Sequence, residues 1–153
     1  MFGWFKAATG TGAGGDLLAW SDEYLLGIKT IDEDHRNLFE IINRLHDAFH
    51  KRQGHQTIKL TFNLLTEYVS EHFAREEQLM GQISYPGLEE HRMLHAGFIQ
   101  AFFSTKQSYI VAPKAFDFES FLDFLRKWLV HHVLVEDRKY VAHVMKENDE
   151  DED

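Results

Sequence analysis

Two pairs of side chains at four-residue spacing mark where chemistry is available in this sequence: His72 with Glu76, and His91 with His95. On an α-helix, positions i and i+4 are neighbours on one face, about 40° apart around the axis. His35 and His132 fall on the apolar stripes of their own segments, at positions where Leu or Phe would ordinarily serve. One inward imidazole is an ordinary core residue. Five of them with a carboxylate are not, because each buried polar group left unmatched costs about 1–3 kcal/mol. A shared cation matches all of them at once, and in helical bundles such sites sit in the core between facing helices. Five nitrogens plus carboxylates exceed what one tetrahedral zinc uses, so the count points to two metals. Imidazole suits Zn, Cu, Fe and Ni, while a carboxylate able to bridge favours a pair of hard or borderline ions. A diiron centre is the natural candidate, with manganese or two zincs left open by spacing alone.

The elements that must position these groups read as four helices. The first spans about residues 31–52, with His35, Leu38, Ile42, Leu45 and Phe49 at three- and four-residue steps. Asp32, Glu33 and Asp34 suit its first turn, where exposed amides favour negative charge, and Gly54 closes it. The second spans about 57–83, with Leu65, Val69, His72, Glu76 and Met80 on one stripe. Ser84-Tyr85-Pro86-Gly87 forms a turn, and the third helix, about 88–109, carries His91, Leu94, His95, Phe98 and Phe102. The fourth spans about 118–146 with Phe121, Leu125, Trp128, Leu129, His132, Glu136 and Tyr140. No strand alternation competes. Four apolar stripes joined by short connections predict an all-α, up-down-up-down antiparallel four-helix bundle. The stripes are rich in Phe and His rather than in Leu heptads with charged flanks, which disfavours a coiled-coil dimer.

Composition narrows the partners. The 153 residues suffice for one domain with a single sizeable core, and 44% hydrophobic with 27% charged residues is ordinary for a globular protein. The formal charge of −9, without a basic stripe, makes a poor nucleic-acid binder. No apolar run approaches the roughly 20 residues of a membrane span, so an integral membrane protein is not expected. Zero cysteines exclude disulfides, thiolate metal sites and a cysteine nucleophile. Residues 1–19 read as an N-terminal arm opened by Phe2, Trp4 and Phe5, either plain or a tether to a membrane or partner. Residues 20–147 read as the bundle. Residues 148–153 end in five consecutive acidic residues and read as a disordered acidic tail.

Four blocks of sequence resemble the hemerythrin family, specifically its single-domain bacterial members. They are Gly27-Ile28 with Ile31-Asp32-Glu33-Asp34-His35-Arg36-Asn37-Leu38-Phe39, then His72-Phe73-Ala74-Arg75-Glu76-Glu77, then His91-Arg92-Met93-Leu94-His95, and Trp128-Leu129-Val130-His131-His132-Val133-Leu134-Val135-Glu136-Asp137. They occur in the family's order and spacing over about residues 20–140. The resemblance implies two irons, one held by His91, His95 and His132 and the other by His35 and His72. Glu76, Asp137 and a solvent-derived oxygen would bridge them, and the two-histidine iron would keep an open position for dioxygen. Leu38, Trp128 and Leu129 resemble the apolar wall of the oxygen pocket, a role that ordinary core packing does not contradict. Periodicity alone favours Glu136, four residues after His132, over Asp137, which lies about 140° away on an ideal helix. The resemblance selects Asp137, and a local widening of the helix would re-aim it. His131 faces off the stripe, and His46, His50, His55 and His143 read as solvated or helix-end residues without a role.

The expected function is reversible dioxygen binding for storage, transport or delivery rather than an enzymatic reaction. Ferritin-like oxidases use four carboxylates and two histidines; this chain inverts that balance. A neutral, imidazole-rich shell leaves the centre cationic and disfavours high-valent iron. The alternatives are an oxygen or redox sensing module, supported only by the two tails, and a diiron enzyme acting on nitric oxide or peroxide. The expected setting is a cytoplasmic monomer, with an oxygen-consuming protein as a possible recipient.

Overall fold

The computed structural model describes residues 16–151. Among them the ordered elements are helical: α1 (Lys29–His50), α2 (His55–Gln82), α3 (Leu88–Val111), α4 (Phe118–His131) and α5 (Asp137–Asp151), besides two short 3₁₀ turns. A π-helical turn, His132–Glu136, joins α4 to α5 without a break in helical backbone, so the two make one fourth rod. The four rods are those expected, in their expected order, with ends shifted by a few residues.

Local chemistry explains the ends. Before α1 the chain turns through Gly27 at φ 97, a left-handed conformation that suits glycine. The Asp32 carboxylate fastens this turn by accepting the amides of Leu26 at 2.8 Å and Gly27 at 3.1 Å. Gly54, expected to close α1, instead precedes α2, and the left-handed residue after α1 is Arg52 at φ 51. The Gln53 amide then reaches back to the Ala48 carbonyl at 2.9 Å, the six-residue closure that ends many helices. Ser84 at φ 52 does the same after α2, with Tyr85 N–H on the Met80 carbonyl at 2.9 Å. Asp117 caps α4 by accepting from the Ser120 amide at 3.1 Å and its hydroxyl at 2.6 Å.

The order of burial along each rod gives the topology. Two apolar clusters are present, a large one containing Leu38, Val69, Phe98 and Leu129 and a smaller one containing Ile31, Met80 and Tyr140. Along α1 the chain passes from the small cluster (Ile31) through His35 to the large one (Leu38), and along α2 from the large (Val69) through His72 and Glu76 to the small (Met80). α3 repeats the first direction, Leu88 to Phe98 through His91 and His95, and the fourth rod repeats the second, Leu129 to Tyr140 through His132 and Asp137. The directions alternate, giving up-down-up-down, with one polar layer held between two apolar ones. Phe62 anchors the large cluster, stacked between Tyr109 and Phe121, each at 5.3 Å between ring centroids.

Two segment boundaries differ from expectation. Leu18, placed in the arm, is buried and exchanges two 2.8 Å hydrogen bonds with the Asn43 side chain, so residues 17 and 18 pack on the bundle. Phe2, Trp4 and Phe5 lie outside the described residues. The acidic tail expected to be disordered from residue 148 is helical as far as Asp151, because an existing helix gains a backbone hydrogen bond with each residue added. Glu152 and Asp153 lie outside the described residues.

Candidate metal centre

All four rods contribute to the polar layer, and His35, His72, Glu76, His91, His95, His132 and Asp137 are all buried in it. Asp137 stands between α1, α3 and its own rod: its Oδ2 lies 3.0 Å from His35 Nε2, and its Oδ1 lies 3.1 Å from His91 Nε2 and 3.0 Å from His132 Nε2. Glu76 Oε1 lies 2.7 Å from His72 Nε2 and 3.7 Å from His95 Nε2. The Nε2 atoms of His95 and His132 face each other at 3.0 Å. The donor atoms fall into two overlapping sets, each within 4.8 Å: Glu76, His91, His95, His132 and Asp137 in one, His35, His72, Glu76 and Asp137 in the other. Only the two carboxylates belong to both.

Protein hydrogen bonds do not satisfy this layer. Both oxygens of Glu76 and of Asp137, both nitrogens of His35 and Nε2 of His91 lack a partner in hydrogen-bond geometry despite the short separations. At about 1–3 kcal/mol for each unmatched buried group, the cost is of the same order as the whole net stability of about 5–15 kcal/mol. Imidazole nitrogens and carboxylate oxygens converging with a single mutual hydrogen bond, His95 to His132, are a donor set that borderline divalent cations satisfy.

The electrostatics agree. Burial, then the neighbouring His132 and His91, push His95 down to about 2, so its imidazole is neutral with a lone pair to offer. Burial opposes ionisation of Asp137, but His132, His35 and His91 hold it well below the usual carboxylate range. Burial would also lower His72, yet Glu76 and Asp34 carry it up to about 10. A cation arriving beside His72 therefore displaces a proton, as metal ligation of histidine generally does.

The family model described as Hemerythrin HHE cation binding domain matches residues 26–148 of the chain. The bacteriohemerythrin of Clostridium acetobutylicum is 33% identical over 129 residues, covering 82% of this chain and 99% of the relative. The chain belongs to the hemerythrin family. The myohemerythrin of Theromyzon tessulatum is more distant, 27% identical over 79% of this chain and 88% of its own length. A crystal structure of a hemerythrin mutant shares the fold, with TM-score 0.74, 24% identity and coverage of 83% of this chain and 96% of that one.

In this chain the π turn brings Asp137, and not Glu136, to the histidines. The Asp137 amide donates to the His132 carbonyl five residues back, which lets two side chains five apart share a face. Asp137 turns inward. Glu136 points out, 3.0 Å from Lys139 Nζ and 3.5 Å from the exposed His131. Leu38, Trp128 and Leu129 line one narrow apolar cavity of about 10 Å³ together with Val69, Phe73 and Phe98, room for roughly one water-sized molecule. Leu38 and Val69 lie one turn from His35 and His72 on the same faces. The wall also braces two imidazoles, with Phe73 stacked on His95 at 3.7 Å and Trp128 on His132 at 4.4 Å between centroids.

The histidines expected to have no role lie away from the layer. His46 and His50 pack at 4.3 Å with His50 Nε2 3.3 Å from Glu119, His55 Nδ1 pairs with the Tyr109 hydroxyl at 2.8 Å, and His143 stacks on Tyr85. Sequence reasoning missed the carboxylates behind the imidazoles. Asp34, read as a first-turn charge, is buried with its Oδ2 2.9 Å from His72 Nδ1, and Glu77 Oε2 lies 3.2 Å from His95 Nδ1. The available signal was adjacency, since Asp34 precedes His35 and Glu77 follows Glu76.

Proposed function

We propose that this chain is a non-heme diiron protein that binds dioxygen reversibly, for storage, transport or delivery. The observation that carries the reading is the unequal pair of donor sets, three histidines against two, sharing Glu76 and Asp137. His91, His95 and His132 would hold one iron, His35 and His72 the other, with both carboxylates bridging. When bound, the iron pair supplies the reversible electron donation to dioxygen that side chains alone cannot.

The chain's own groups do the rest. The neutral imidazole of His95 and the ionised Asp137 offer lone pairs without a proton to remove. The set with fewer histidines would leave its ion fewer protein donors, and the faces of α1 and α2 that carry it continue into the apolar cavity walled by Leu38, Trp128 and Leu129. That wall excludes water and so limits proton leakage to the site. Binding without substrate oxidation follows from the nitrogen-rich donor set, so the role is carriage rather than catalysis. The unit that performs it is the bundle of residues 20–147, with Leu17 and Leu18 packed onto it.

No helix among the described residues is long and apolar enough to cross a membrane; we place the protein in the cytoplasm as a monomer, with an oxygen-consuming protein as recipient. The test is anaerobic loading with ferrous iron followed by cycles of oxygenation and deoxygenation under optical absorption. A visible band that appears with oxygen and disappears on its removal supports the reading, whereas irreversible bleaching or turnover of added peroxide rejects it.

A further inference from the structure

Each donor set contains one imidazole whose outward nitrogen is tied to a carboxylate that an arginine holds in turn. In the two-histidine set, His72 Nδ1 lies 2.9 Å from Asp34 Oδ2. Arg75 grips Asp34 with both arms of its fork, Nε to Oδ2 and Nη2 to Oδ1, each at 2.8 Å. In the three-histidine set, His95 Nδ1 lies 3.2 Å from Glu77 Oε2. Arg92 donates to Glu77 Oε1 at 3.2 Å and to Glu89 at 2.7 Å. His35, the other imidazole of the smaller set, has a buried Nδ1 without a hydrogen-bond partner.

We propose that Asp34–Arg75 and Glu77–Arg92 are two separate positioning relays, each setting the affinity of one metal pocket through one histidine. The proposal rests on the two-metal reading above. An imidazole can bind a cation through either nitrogen and can turn over about its ring axis. A carboxylate that accepts the Nδ1 proton removes that freedom, fixing the tautomer with the Nε2 lone pair inward and strengthening it as a donor. His72 is thus the ligand of its pocket whose tautomer a carboxylate fixes, whereas His35, packed edge-on against it, has no such partner among the described residues, so the smaller pocket depends mainly on Asp34.

The two relays differ in strength for a physical reason. Asp34 is 5% exposed and accepts a bidentate arginine, the stronger and more directional form of the contact. The Glu77 side chain is 27% exposed and its bonds to His95 and Arg92 are longer, so water screens it more.

Stepwise Co²⁺ titration of the metal-free full chain, read by calorimetry and visible absorption, tests this with Asp34→Asn, Glu77→Gln and Arg75→Gln. Side-chain ¹⁵N-histidine spectra of the zinc-loaded proteins report the tautomers. Wild type should take two ions in resolvable steps. Asp34→Asn should weaken one step about 10- to 100-fold, the usual effect of losing such a partner, and leave the other unchanged. Glu77→Gln should weaken the other step by a smaller factor. Arg75→Gln, at a half-exposed position, should weaken the Asp34 step severalfold. The His72 Nδ1–H signal should shift in the Asp34 and Arg75 variants, with the His95 signal unmoved. Equal weakening of both steps, or unchanged affinities and tautomers in folded variants, overturns the relays while leaving the two-metal reading intact. A wild-type chain that takes fewer than two ions overturns the two-metal reading itself, and the relays with it.

Discussion

His132 and Asp137 are five residues apart in sequence, yet the imidazole Nε2 and the carboxylate Oδ1 lie 3.0 Å apart because the helix widens to a π turn between them. On a regular α-helix Asp137 would swing about 140° away and Glu136 would take its place. The widened turn thus decides which carboxylate faces the histidines.

Replacing each acid separately tests that consequence. Asp137→Ala should lower metal content from two irons per chain to one or fewer, since the residue belongs to both donor sets. Glu136→Ala should retain two, losing only its contacts with the exposed Lys139 and His131, worth less than about 1 kcal/mol. Elemental analysis of the purified variants reads the difference, and full loading in Asp137→Ala would refute the assignment.

Leu38 serves both the core and the cavity wall. It is 2% exposed, so Leu38→Ala should destabilise the fold by about 2–5 kcal/mol, as large-to-small core changes do. Widening the cavity should also admit water and shorten the lifetime of the oxygenated form. Denaturant unfolding measures the first effect and decay of the visible band the second; an unchanged lifetime would remove Leu38 from the oxygen pocket while leaving it in the core.

Acid should reveal Asp34. Burial works against its ionisation, yet hydrogen bonds from His72 and Arg75 hold it at about 2, against an ordinary value of 3.8. The folded value lies below the unfolded one, so the unfolded chain takes up more protons as acid is added and stability falls. The contribution is complete above pH 3.8 and disappears as pH drops through about 2. Urea unfolding of the metal-free protein should therefore show a gap between wild type and Asp34→Asn at pH 6 that narrows below about pH 4. A gap that persists undiminished to about pH 2 would contradict this.

Removing the metal should also lower stability. Ions bound only by the folded chain stabilise it by about 2.7 kcal/mol when present at a hundred times the dissociation constant. At this chain length a kcal/mol corresponds to roughly 2–4 °C in Tm, so chelation should lower Tm by several degrees and readdition of iron restore it. An unchanged Tm would show that the buried donors are satisfied without a cation.

Much of this was legible because histidine at a core position breaks a strong pattern. His35, His72, His91, His95 and His132 stand out where the stripe calls for Leu or Phe, and the alternation of the rods follows from short connections. The outer carboxylates were not legible in the same way. Asp34 lies one residue from His35, where any acid suits a helix start, and its partner His72 is 38 positions away on another rod. Helix ends were readable by type but not by residue: Arg52 and Ser84, rather than Gly54 or Gly87, take the left-handed positions. The π turn left no local mark, since His132-Val133-Leu134-Val135-Glu136 is compatible with an ordinary helix; only the resemblance, which selects Asp137 over Glu136, called for a widening there.

Metal content and oxygen response, measured on the same iron-loaded sample, test the central claim most directly. Two irons per chain with a visible band that forms under oxygen and vanishes on deoxygenation over repeated cycles is the predicted result. One iron or none, or a sample whose spectrum ignores oxygen, would contradict it.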